Sequence, residues 1–275
     1  MIVNAGYRGK VGGGVPKFTY TGNYNVRDDG VVELLTSGTI VFLNPATIDL
    51  FLVGGGGAGG SAVRGSGGWG GGGGGYTKTF KNVTVPKNTQ IAVAVGDGAV
   101  TSKSASNVPD GGATTFGDMS AAGGKSAKPN TNNNTNDSSG ANGGSGGGGG
   151  RYQNYSASGT GGNNGGNGER GTSNGGTGQQ NTTREFDEPT GKLYAGGGGG
   201  GTYAVDKTPA HIAKGGDGGG GDGAWTTSYA GTSRAPVAGA ANTGGGGGGG
   251  SKRPFEDSYD GAAGGSGIVC FRIAK

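Results

Sequence analysis

Glycine occurs in this chain in unbroken runs, at 54–57, 70–75, 146–150, 196–201 and 244–250, and it makes up 75 of the 275 residues. A run without side chains adds nothing to a hydrophobic core, and glycine loses more conformational freedom on ordering than any other residue. Such runs are therefore either unstructured or packed backbone against backbone. Collagen is excluded: its triple helix needs glycine at every third position with abundant proline, whereas these glycines are contiguous and proline contributes 9 residues.

The hydrophobic share of 29% cannot fill a core for the whole length. One small conventional core plus a non-hydrophobic remainder is expected. The 22 basic and 18 acidic residues give +4 without a block of like charge, which offers no support for a nucleic-acid partner. The single cysteine, Cys270, lies in Ile268-Val269-Cys270-Phe271 and reads as a small buried hydrophobe. The apolar stretch at 48–53 is far too short to span a bilayer, and Met1-Ile2-Val3-Asn4 lacks a basic region followed by a long apolar run. A soluble chain without membrane insertion is expected.

Strand signals are clean in the first third. Phe18-Thr19-Tyr20-Thr21 is β-rich, Arg27-Asp28-Asp29-Gly30 carries the Asp-Gly signal of a tight hairpin, and Val31 to Leu35 returns as its partner. Further strands are expected at 39–43, 47–53, 76–85 and 90–95, with short candidates at 113–116 and 119–122. Between 123 and 266 only Lys192-Leu193-Tyr194-Ala195 reads as regular structure, and 267–273 is the last strand. The segment 125–145, rich in Asn, Ser and Thr, is left open between order and disorder. The expected fold class is all-β, an antiparallel jelly-roll-like sandwich with an inserted bundle of polyglycine II helices. Its expected parts are 17–122 plus 267–275 for the sandwich and 123–266 for the bundle.

A polyglycine II helix has about three residues per turn, a rise of about 3.1 Å and no internal hydrogen bonds, so seven residues span about 22 Å. Its donors and acceptors point outwards, and neighbours without side chains can bond helix to helix. The segments between runs carry aromatic residues: Tyr152 and Tyr155, Tyr203, Trp225 and Tyr229, Phe255 and Tyr259, with Trp69 between two earlier runs. Rings displayed among Ser, Asn and Gly suit a binding surface, and they suit equally a cover for the bundle ends.

The pattern Ile48 to Gly57, then Gly71 to Thr79, then Leu193 to Gly198, then Gly265 to Val269 resembles the glycine-rich domains of phage and prophage tail or fibre proteins. It is also similar to the glycine-rich domain of anaplastic-lymphoma-kinase-type receptors, whose cysteines and kinase segment are missing here. Long-tail-fibre adhesins of T-even-type phages use glycine runs as a polyglycine sandwich with variable loops. The resemblance implies a non-enzymatic virion protein, a fibre-tip or surface adhesin binding a host cell-surface glycan or protein. The alternative it leaves is a purely structural spacer or decoration. Implied partners are other virion tail or fibre proteins, through an attachment arm at 1–16, with a homotrimer and a monomeric cap both compatible.

Catalytic chemistry finds no foothold in the sequence. His211 lies in Thr208-Pro209-Ala210-His211-Ile212 without a nucleophile nearby and reads as a loop residue, included with the aromatic receptor-binding candidates. The pairs Asp28-Asp29, Asp187-Glu188 and Glu256-Asp257 read as solvated turn charges, since sequence neighbours rarely span a sugar as glycosidase carboxylates do. The stretch 216–223 lacks the period of calcium-binding glycine-aspartate repeats, and no glycine run leads through Gly-Lys-Ser into a helix. No catalytic residue, metal or cofactor is expected.

Overall fold

Short strands separated by Gly, Pro, Asn and Asp turns build the first half of the chain. They are β1 (Phe18–Tyr20), β2 (Tyr24–Val26), β3 (Val32–Leu34), β4 (Gly38–Phe42) and β5 (Ala46–Val53). β6 (Gly67–Gly68) is a two-residue bridge, followed by β7 (Thr77–Val85), β8 (Gln90–Ala94), β9 (Thr114–Phe116) and β10 (Met119–Ala121). The glycine-rich part adds β11 (Arg151–Tyr152), β12 (Thr202–Ala204), β13 (Trp225–Thr227), β14 (Ser251–Lys252) and β15 (Ser258–Tyr259), and β16 (Ile268–Ile273) is last. This is a computed structural model, and it describes residues 14–61, 67–101, 108–129, 139–152, 183–204, 212–227, 233–253 and 258–275.

Two five-stranded antiparallel sheets, ordered β1-β4-β8-β9-β10 and β2-β3-β16-β5-β7, pack face to face. Ile40, Phe42 and Phe116 of the first sheet meet Leu34, Leu50 and Phe271 of the second in one buried core. The Asp-Gly turn forms as expected: Gly30 takes φ 82°, which glycine accepts freely, and Val31 N donates to the Asp29 carboxylate. The strand entering that turn is β2, which the sequence reading passed over. β1 instead pairs with β4 in the opposite sheet.

The second sheet is covered on both faces. β5 is buried from Ile48 to Val53: Ile48, Leu50 and Leu52 face the other sheet, while Phe51 and Val53 face a second cluster with Phe186, Tyr194 and Cys270. A strap at 183–195, with a 3-10 turn at Glu185–Asp187, supplies that cover.

The glycine runs form a three-dimensional lattice of backbone hydrogen bonds. In the 244–250 run, Gly246 and Gly249 donate to Gly196 and Gly199, Gly247 and Gly250 to Gly57 and Gly60, and Gly248 to Val237. Its carbonyls accept from Gly75, Gly72 and Trp69, from Gly221 and Ala224, and from Gly265 and Ala262, all at 2.8–3.0 Å. The partner changes with each residue and repeats every third, which is the signature of a threefold helix surrounded by six neighbours. The 54–60 run shows the same period: Gly54, Gly57 and Gly60 donate to Tyr76, Gly73 and Gly70, and Gly56 and Gly59 donate to Gly265 and Ala262.

Sandwich and bundle interleave. The expected sandwich range 17–122 includes 54–61 and 69–75, yet these two runs lie in the middle of the lattice, and Gly55 donates to Gly112. The strand order β7-β5-β16 continues as the helix order 69–76, 54–60, 261–267, so each chain keeps its neighbours as it changes from strand to helix. Loss of side chains at Gly54 lets the strand twist into the threefold form without exchanging partners. The lattice thus grows directly from the hydrogen bonds of the second sheet.

Candidate functional site at the distal tip

The direction of each run follows from its bonds. Gly54, Tyr76, Gly244 and Gly267 lie at the sandwich end, and Gly60, Trp69, Gly201 and Gly250 lie together at the far end. The described segments that end at residues 61, 129, 152, 204, 227 and 253 therefore end together at one tip of the lattice, and each is followed by residues outside the described set.

Short strands tie these exits together. β11, β12 and β13 pair in parallel, with Arg151 opposite Thr202 opposite Trp225, and Tyr152 opposite Tyr203 opposite Thr226. β14 pairs with both β6 and β15, placing Ser251 between Gly68 and Tyr259. The Ser251 Oγ lies 2.8 Å from Thr202 O and 2.7 Å from Thr226 Oγ1, so one buried hydroxyl joins the two sheets. Sequence reasoning missed this knot. Its available signal was a hydroxyl residue directly after a glycine run, at Thr202 and Ser251.

Of the aromatic candidates, the structure gathers Trp69, Tyr152, Tyr203, Trp225 and Tyr259 at this tip. Two are corrected: Trp69 is 3% exposed and Tyr203 5%, so both fill the interior of the lattice end and offer no outer surface. Trp225 and Tyr259 are half-buried, the Tyr259 hydroxyl is 3.0 Å from Ser233 Oγ, and Trp225 bridges through its backbone to exposed Arg234. Trp225 Nε1 and Thr202 Oγ1, on the same face of adjacent strands, are buried and have no hydrogen-bond partner among the described residues. Tyr155, His211, Tyr229 and Phe255 lie outside the described residues.

The glycine-rich domain family model matches residues 35–274, which takes in seven of the ten sandwich strands, all but β1, β2 and β3, and the whole lattice. The chain belongs to the glycine-rich domain family. Among curated proteins no sequence matches it.

This glycine-rich domain carries a second polar cluster, on the outer face of its doubly covered sheet. Arg27 bonds Asp29 at 2.7 Å, Glu185 at 2.7 Å and Glu33 at 3.4 Å, while Arg272 bonds Glu188 at 2.6 Å and Asp49 at 3.3 Å. These pairs pin the strap to the sheet around a cleft of about 370 Å³. Arg272 also stacks over the Phe186 ring at 4.1 Å. Phe186 and Asp187 both adopt positive φ, a strained choice for such side chains that the flanking pairs hold in place.

Glu33, Glu185 and Cys270 bring their ligand atoms within 4.8 Å of one another, a grouping that could hold a metal. The Arg27 guanidinium already occupies the cation's place between the two carboxylates, and the Tyr194 hydroxyl donates to Glu185. Burial pushes the Cys270 thiol well up, away from the thiolate that metals bind. The cluster is a structural clasp. The same holds in the glycine-aspartate stretch, where Asp222 is bonded by Lys214 at 2.9 Å and by Gly215 N at 3.1 Å.

No helix among the described residues is long and apolar enough to cross a membrane.

Proposed function

We propose that this domain is a non-enzymatic bacteriophage virion protein, a fibre-tip or surface adhesin that binds a host cell-surface glycan or protein through the segments leaving its lattice tip. The observation that carries this reading is the convergence of six chain exits at one end of a rigid backbone lattice, opposite the sandwich. A scaffold fixed in this way spares its loops part of the ordering cost on binding, which is the physical benefit of preorganisation. The resemblance to phage tail and fibre proteins supplies the class. Trp225 and Tyr259, half-buried at the tip, are the described aromatic side chains best placed to contact a receptor.

The test exchanges the residues between the tip strands, 153–160, 205–211 and 228–232, for those of a relative and measures adsorption of assembled particles to host cells. The reading expects adsorption to fall at least tenfold or to switch host, with the melting temperature of the domain unchanged. Unchanged adsorption in all three exchanges would leave only a spacer role.

A further inference from the structure

We propose that the domain also transmits tension from its tip to its base, and that this tension leaves through β16 rather than through the N-terminal strand β1. The proposal deepens the adhesin reading, which supplies its biological use, but the physical claim stands on the lattice alone.

Three chain segments run from base to tip without a break. β5 continues into 54–60, β7 is the continuation of 69–76, and 261–267 continues into β16. They remain neighbours along the whole length: Val53 pairs with Thr77 and Ile268 in the sheet, and Gly57 and Gly56 bond Gly73 and Gly265 in the lattice. No hinge separates the two parts, because no hydrogen-bonded neighbour is exchanged at the boundary. A pull applied where the 54–61 and 67–75 runs reach the tip therefore passes straight into two adjacent strands of the sheet.

The bonds that resist such a pull lie across the run axis. Axial tension strains those of a run together, in shear, whereas a transverse pull would open them one after another. At the base the two chain ends differ. β16 sits inside its sheet with six residue pairs to β5 and three to β3, and Val269 and Phe271 are fully buried. β1 is an edge strand with three residue pairs to β4, and its side chains are only partly buried or exposed. Axial load delivered through β1 must therefore rupture it first, while load through β16 is shared with the strands that continue to the tip.

Forced rupture follows the unfolding rate in the pulled direction, so it reads this difference directly. Single-molecule force spectroscopy on the full chain, without any receptor, would use a handle at Arg64→Cys, in sequence between the 54–61 and 67–75 runs, with Cys270 buried and silent. The second handle is placed either after Lys275 or before Gly14. The proposal expects first rupture at a force at least twofold higher in the C-terminal geometry, and an N-terminal first event whose length gain matches release of β1. Equal forces, or a stronger N-terminal geometry, overturn it. Neither result depends on adsorption, so this proposal and the adhesin reading fail separately.

Discussion

Gly247 shows what the lattice demands of one residue. Its N–H bonds Gly57 O, its carbonyl accepts from Gly72, and a Cβ added there would overlap the carbonyl oxygens of Ala262 and Ala263. Backbone held from several sides cannot give way as a side chain can, so Gly247→Ala should sit at the upper end of overpacking penalties, about 3 kcal/mol. For a domain of this size that lowers the melting temperature by roughly 6–12 °C. Gly14→Ala, where a Cβ meets nothing within 4 Å, should leave the thermal transition in place. Ala58 marks where the demand relaxes, since its N–H is taken by the Ser126 hydroxyl instead of a neighbouring run.

Glu188 carries a prediction of a different kind. Its hydrogen bond to the Arg272 guanidinium, with Lys275 adding to it, holds the carboxyl down at about 2. A carboxylate whose folded pKa is depressed contributes stability that is complete above its unfolded value near 4.3 and is lost as pH falls towards the folded one. Urea midpoints should therefore fall between about pH 4.5 and 2, and less steeply in Glu188→Gln. Parallel curves for the two proteins would remove Glu188 from the acid response.

At the scale of elements, the strap is the part most dependent on charge. Arg27 bonds Glu33 and Glu185, whose side chains are 10% and 5% exposed. Removing the cation from buried carboxylates is the costly half of breaking such a pair, so Arg27→Met should destabilise by about 3 kcal/mol. Hydrogen exchange should quicken at 183–195 before it quickens in the lattice; uniform quickening would contradict the clasp. The strap was nearly invisible beforehand. Leu193-Tyr194 signalled regular structure, but only the fold brings Phe186 and Tyr194 over Phe51, from a part of the chain more than a hundred residues away. The sandwich strands were legible because alternation and Asp-Gly or Asn-Pro turns are local signals. β2 was not, since Tyr24-Asn25-Val26 is too short to show a period.

Over the whole molecule, glycine purity follows packing. The 244–250 run, the longest, has six neighbours, and every one of its positions faces another backbone. That runs without side chains must either pack together or stay disordered could be read from composition and spacing, as could the all-β class, because these depend on residue chemistry and local pattern alone. Which run lies in the middle, which rings are buried and where the exits gather were decided by tertiary structure. Trp69 and Tyr203, which the sequence left open between a binding surface and a cover for the bundle ends, are buried at the lattice end. A glycine run has no face of its own, so nothing within it selects one partner over another. The choice comes from the strands to which it is joined, whose side chains set the order β7-β5-β16 and pass that order on to the helices.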